Sequence, residues 1–413
     1  MDTGYLIELA SLLLRWLHLV TGIAWIGASF YFIWLDNSLK PPVDPELQKK
    51  GVGGELWAVH GGGFYNPQKY SVAPKNLPEE LHWFKWEAYS TFITGFLLIT
   101  VLYYFQASIY MVDPNVSPIS SSTAVWIGIG TLVLGYVIYD VLARLLIQRS
   151  QLVFAVVYGL FVVAVTYGLT HLLSGRAAFI HVGAMIGTTM AANVFFWIIP
   201  GQRSMVDAMK KGQAPNAQDG KRGKQRSVHN NYLTLPVLFC MISNHYAFTY
   251  SHPHAWAVLS LIMIAAVLIR HFFNLHHKGQ LRLEFPIAGA AILLLVFIWV
   301  APSPAPMPVA TAPAAAGDPH AGMAMAPVAA LTVADIRPII DARCTACHAA
   351  KPTMMPSAPA GVMLDTPERI SAQASKVYAQ VVTLKAMPLG NVTAMTDDER
   401  AKLAAWFQGG AKP

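Results

Sequence analysis

Long apolar runs separated by short polar stretches fill the chain up to residue 301. Runs at 6–35, 89–105, 123–142, 152–172, 177–199, 232–248, 256–273 and 285–300 predict eight membrane-spanning helices, since one crossing takes about 20 residues. The sixth and eighth carry the weakest apolar signal. The first run is expected to stay as a membrane helix rather than a processed leader: Asp2 and Glu8 replace a basic leading segment, and no small-residue cleavage site closes it. After residue 301 the pattern changes. Residues 302–330 are rich in Pro and Ala with almost no charge, which predicts an extended tether. From 331 to 413 the pattern is that of a small helical unit. Thr332 with Asp335, and Thr396 with Glu399, have the spacing of capping boxes, and Gly409-Gly410 should stop the last helix.

Composition agrees with a bilayer environment. Of 413 residues, 54% are hydrophobic and 12% charged, against about a quarter charged in ordinary soluble domains, which excludes a conventional soluble enzyme. Lys and Arg crowd the first, third, fifth and seventh loops: Lys40, Lys49, Lys50, Lys69, Lys75 and Lys85; Arg144 and Arg149; Arg203, Lys210, Lys211, Lys221, Arg222, Lys224 and Arg226; Lys278 and Arg282. Cytoplasmic loops retain positive charge, so the odd loops are assigned to the cytoplasm and both termini to the outside, as an even number of crossings requires. The net charge of +7 is then explained by contact with anionic lipid and implies no nucleic-acid partner. Three cysteines build no disulfide framework, and Cys240, inside an apolar run, reads as a small core residue.

The other two cysteines form Cys344-Thr-Ala-Cys347-His348, the C-x-x-C-H spacing of covalent c-type haem attachment. The spacing is restrictive because two thiols must reach the haem vinyl groups while the adjacent imidazole reaches the iron from the same turn. His348 is the expected proximal ligand, and Met387, in Lys385-Ala-Met-Pro-Leu-Gly-Asn391, the expected distal one; Met354, Met355, Met363 and Met395 compete for that role. A His/Met pair raises the reduction potential, which suits an electron acceptor. A zinc site would need further Cys or His nearby, and none follows. The predicted architecture is therefore all-α, a polytopic bundle (1–301), a linker (302–330) and a small class I cytochrome c domain (331–413), with the haem on the periplasmic side.

Four histidines, His18, His171, His181 and His245, fall in or at the ends of spanning segments, in the half of the bilayer that faces the haem unit. On the first helix Arg15, His18, Gly22, Trp25 and Ser29 share one face, a polar stripe expected to point into the bundle. Two readings stand: two of these imidazoles hold a second, b-type haem or relay electrons, or they make interhelical hydrogen bonds. His229, His271, His276 and His277 are assigned to the cytoplasmic boundary as ordinary interface residues.

About 50 residues between the first two helices form a loop long enough to be functional and too aromatic for disorder. Three glycines following His60, together with Lys85, offer donors for an anion, and Trp83, Trp86 or a tyrosine offers a stacking surface. An aromatic belt with a glycine turn explains the same residues.

The opening Trp16-Leu-His18-Leu with Gly22 and Trp25-Ile-Gly27, the stretches His60 to Tyr65 and Trp83 to Glu87, and Cys344 to His348 with Met387 to Asn391 together resemble the bacterial membrane-bound urate oxidases, or urate hydroxylases, that carry a C-terminal cytochrome c. The resemblance implies an inner-membrane enzyme that oxidises urate to 5-hydroxyisourate. It also implies that the electrons go to the fused haem c, and on to a terminal oxidase or soluble cytochrome, without hydrogen peroxide. Under it, His60 or His82 is the candidate base, Lys85 the partner of urate charge, and Trp83 or Trp86 the stacking ring. A pocket in the cytoplasmic loop lies a hydrocarbon core of about 30 Å from a periplasmic haem. Either an intermediate carrier or a deeper pocket, among Arg15, His18, Trp25, Thr94 and Asn193, is then needed. The competing function is a cytochrome-bearing electron-transfer subunit without its own substrate site.

Overall fold

The computed structural model describes residues 3–301, 331–355 and 358–413; the predicted tether at 302–330 lies outside them. The first helix, α1 (Thr3–Ser38), is followed by a short α2 (Pro45–Lys49) and four strands, β1 (Val52–Glu55), β2 (Ala58–His60), β3 (Gly63–Tyr65) and β4 (Gln68–Tyr70). Then come α3 (Trp86–Ile99), α4 (Ala107–Tyr110), α5 (Ser121–Leu146), α6 (Gln151–Leu172), α7 (Gly175–Asn193), α8 (Ile199–Lys210), α9 (Ala217–Ile242), α10 (Ala247–Tyr250), α11 (Ala255–His276) and α12 (Glu284–Trp299). The C-terminal unit holds α13 (Val333–Arg343), α14 (Pro367–Ala372), α15 (Ala374–Val377) and α16 (Asp397–Gln408).

Among the described residues six helices are long and apolar enough to cross a membrane, which makes this a multi-pass chain. The two predicted spans outside that set are α9 and α12. The first half of α9 is polar, from Gln218 to Asn231, and α12 has only 16 residues. Serines fix where the central helices begin: Ser120, Ser150 and Ser174 accept from the backbone N–H groups of Thr123, Val153 and Ala177, satisfying donors that a helix start leaves open. Both predicted capping boxes form, at Thr332/Asp335 and Thr396/Glu399, and α16 ends at Gly409.

The bundle is built around α7, which packs on α3, α5, α6 and α9. Its buried face is rich in Ala, Gly and Thr, so backbones approach closely. Gly128 leaves room for His181, Gly135 for Met185, and Gly183 for Cys240. The helix α1 lies outside this core, against α3 and α9. Two wide turns of π geometry interrupt the bundle, Thr100–Tyr104 after α3 and Val194–Ile198 after α7.

The loop after α1 is not helical. β1 pairs antiparallel with β4, and β2 with β3, in two nested ribbons. Gly61 and Gly62 both have positive φ, +57° and +81°, the requirement of a tight two-residue hairpin turn. The glycine triplet is thus turn chemistry, and an all-α description omits this β element. Asp36, near the end of α1, pairs with Lys69 of β4 and with Lys224 of α9, tying the loop to the lysine-bearing end of the bundle.

The C-terminal unit has its own core around Ile336, Ile340, Ile370, Leu403 and Trp406. It sits against the opposite end, where Gly390, at φ +56°, meets the Val112 and Ile109 carbonyls so closely that a side chain there would overlap Val112 O.

Gly183→Val places methyl groups where Cys240 Cβ already lies. It should destabilise the α7/α9 contact by about 1–3 kcal/mol, read as a lower unfolding temperature of the detergent-solubilised protein.

Candidate functional site

The C-x-x-C-H segment closes α13 as a continuous turn: the amides of Cys347 and His348 donate to Cys344 O at 3.1 and 2.8 Å. Both thiols are unpaired, Cys344 buried and Cys347 half-buried. Burial, then the neighbouring Cys347, pushes the Cys344 thiol up to about 12. His348 Nδ1 lies 2.9 Å from Val362 O. A carbonyl only accepts, so Nδ1 carries the proton and Nε2 keeps its lone pair for a ligand. Met387 packs against the same core, and its carbonyl accepts from Arg400 Nη1 at 2.8 Å. Asn391 staples the following loop by bonding the Met395 amide and carbonyl at 2.9 and 3.1 Å. Met395 is itself 4% exposed and fills the core.

His18, His171, His181 and His245 stand apart; among the described residues no hydrogen bond or ring contact joins any two of them. His18 Nδ1 lies 3.1 Å from both Thr91 O and Thr94 Oγ1. His171 and His245 are exposed, and His171 Nδ1 bonds Tyr167 O at 2.7 Å. His181 is fully buried between Tyr103 and Tyr104, with Nδ1 on Ala177 O at 2.8 Å and Nε2 without a partner. Among the described residues no three His, Cys, Asp or Glu side chains gather as a metal site.

Nor does the structure assemble the loop candidates. His60 is exposed at the hairpin tip, and exposed His82 rests on Phe84 with ring centroids 4.5 Å apart. Lys85 precedes α3 with its Nζ 5.8 Å from the ring of Trp86, which is 63% exposed. Trp83 packs instead against Ala88, Val194 and Ile199. Of the deeper residues considered, Asn193 joins a polar cluster of its own.

That cluster centres on Asp140 of α5. Its Oδ1 accepts from Trp197 Nε1 and Arg226 Nη2, both at 2.8 Å, and Oδ2 pairs with Arg144 at 2.6 Å. Asn193 Nδ2 donates to Tyr139 OH and Asn230 Oδ1, each at 2.9 Å, and Tyr139 OH lies 2.8 Å from His229 Nδ1. Arg226, assigned to a loop on sequence, is therefore a buried residue of α9, because that helix starts at Ala217 and carries its polar half into the bundle. His229 likewise belongs to this interior, stacked on Phe154 at 4.8 Å. Asp140, inside an otherwise apolar run, was the signal that could have found the cluster.

A second missed residue is Arg270, also inside an apolar run. It is 5% exposed; its Nε donates to Asn231 Oδ1 at 2.8 Å and its guanidinium lies 4.1 Å from the centre of the Phe30 ring. Its Nη2 is buried and unpartnered, and no carboxylate pairs with it among the described residues. Arg270 lines an open groove of about 470 Å³ between α1 and α11, together with Phe30, Tyr31, Trp34, Phe273 and His277. His277 Nδ1 is also unpartnered. Burial, then the nearby Arg270 and His276, holds the His277 imidazole below the usual histidine range, hence neutral at pH 7. A larger cavity, about 730 Å³, separates the bundle from the C-terminal unit and is lined by Asp113, Arg176, Tyr250, Lys385 and Arg400.

Arg226→Met leaves Asp140 with Arg144 and the Trp197 indole and should cost about 3–5 kcal/mol, whereas Asp140→Leu combined with Arg226→Met should recover most of that loss. Thermal unfolding of the two variants in one detergent measures the difference.

No curated protein and no solved structure matches the chain. A family profile described as "Urate oxidase N-terminal" does match, over residues 4–301, which takes in the whole helical bundle and the loop ribbons. This chain belongs to the urate oxidase N-terminal family, and that membership points to an oxidoreductase acting on urate.

Proposed function

We propose that the bundle oxidises urate to 5-hydroxyisourate and passes the electrons to a haem c carried by the C-terminal unit, from which a terminal oxidase or soluble cytochrome collects them. Urate gains the oxygen of one water and releases two protons and two electrons. A single haem would take one electron at a time, so two transfers complete a turnover, and because oxygen is not the direct acceptor no hydrogen peroxide forms. Family membership over the bundle supports the substrate. The observation that carries the electron acceptor is the Nδ1 contact of His348 with Val362 O, which leaves Nε2 free beside two unpaired thiols.

These residues fit a covalently held haem. Cys344 and Cys347 would form the thioether bonds, and His348 Nε2 and the Met387 thioether would hold the iron. Such a group, when bound, stores a single electron at a potential that the His/Met pair raises. The chain's own part is positional. Val362 O fixes the imidazole tautomer, Arg400 holds the Met387 carbonyl, and Gly390 seats the loop between Met387 and Asn391 on the end of the bundle. In this reading both termini face the periplasm and the lysine-bearing loops the cytoplasm, as the charge distribution favours.

Anaerobic addition of urate to the purified full-length protein with oxidised haem should produce the reduced c-haem absorption bands without any partner subunit. Reduction by a quinol but not by urate would sink the enzyme reading in favour of an electron-transfer subunit. Met387→Ala should lower the reduction potential while leaving the haem covalently attached, which a redox titration with a denaturing gel stained for haem checks. A periplasm-dependent reporter fused after Pro413 should be active.

A further inference from the structure

Arg270 presents an unusual energetic situation. A guanidinium stays charged at any physiological pH, and burying it without an anion costs several kcal/mol. Here a single amide oxygen, Asn231 Oδ1, meets Nε, while Nη2 has no partner. Asn231 Nδ2 and Asn274 Oδ1, on the two helices that hold this arginine, are buried and unpartnered as well. An unmet buried charge calls for an explanation, a bound polar molecule among them, and of these three residues Arg270 is the one that lines the neighbouring groove.

The cavity in front of Arg270 describes that molecule further. Phe30, Tyr31 and Trp34 from α1 and Phe273 from α11 make walls of aromatic surface, and Phe30 already lies face-on to the guanidinium. The cavity is a groove of about 470 Å³, open on one side, so a flat ring would lie against the aromatic wall with one edge uncovered. A flat ring can stack there, a planar fork can take two oxygens or an oxygen and a deprotonated nitrogen side by side, and the unpartnered Nδ1 of His277 offers a further hydrogen-bonding atom at the rim. We propose that the cleft between α1 and α11 binds a flat, singly charged heterocyclic anion, with Arg270 as the charge partner and the α1 aromatics as the stacking surface. Resting on the urate-oxidising function proposed above, the occupant is urate itself. The proposal moves substrate recognition from the loop to the bundle: His60 and His82 are exposed, whereas Arg270 is buried and lines the groove.

The test uses full-length protein in nanodiscs of zwitterionic lipid, with anaerobic haem reduction as the readout. Arg270→Gln should raise KM for urate by about ten- to a hundredfold, the range for losing one charge-assisted contact, with Arg270→Lys falling between it and the parent. Dithionite should still give the full reduced c-haem spectrum in both variants. Because Arg270→Gln risks misfolding, Trp34→Leu on the cavity wall serves as a second variant and should raise KM without changing the dithionite spectrum. Hypoxanthine, similar in shape but neutral at pH 7, should compete poorly with urate. A parent protein reduced by urate together with unchanged KM in Arg270→Gln and Trp34→Leu would overturn the site while leaving the enzymatic function standing. Tight retention of an anionic phospholipid that Arg270→Gln abolishes, without any effect on urate, would also overturn it and assign the cleft to lipid.

Discussion

A hydrocarbon surround offers no hydrogen bonds, so each ionisable side chain in this bundle must find its partner on a neighbouring helix. Asp140 meets that constraint most completely: two arginines and an indole N–H converge on one carboxylate, and through Asn193 the contacts extend to Tyr139 and His229. The network joins α5, α7 and α9, the helices that the small residues of α7 bring close together. It also explains why α9 carries polar residues so far into the bundle, since Arg226 and Asn230 are its contribution. Arg270 is a buried guanidinium whose pairing is left incomplete, and for that reason it points to a ligand where Asp140 points to architecture.

The sequence displayed the coarse plan well. Six of the apolar runs are helices long enough to cross, and Thr332, Thr396 and the terminal glycines mark helix ends where their spacing predicted. Two kinds of feature escaped it. Charge counting treats every Arg between apolar runs as a loop residue, and Arg226 defeats it because a helix boundary, not composition, decides whether such a residue is inside. Glycines after a histidine suggest close approach to a ligand as readily as a hairpin turn, and only the positive φ of Gly61 and Gly62 separates the two. For the site, individual residue types were legible but their assembly was not. His181 is buried and His18 half-buried, and they serve different helix pairs; the aromatic wall opposite Arg270 comes from a helix more than 200 positions away in the chain.

The two ends of the molecule are organised by different physics. Where the C-terminal unit rests, contact is made by backbone: Gly390 against the carbonyls that follow α4, with a polar cavity beside it. At the other end contact is made by charge and aromatic surface. A substrate held near Arg270 and an acceptor near His348 would stand at opposite ends of a bundle whose core contains the buried rings of Tyr103, Tyr139 and Tyr158.

Asp36 gathers Lys69 from the ribbons and Lys224 from α9 at a point two residues beyond Trp34. One carboxylate thus serves as a common knot for three segments that are distant in the chain. Neutralising it, by acid or by Asp36→Asn, would untie the ribbons and the start of α9 in a single event rather than in sequence. Proteolytic nicking of either segment would then report on both.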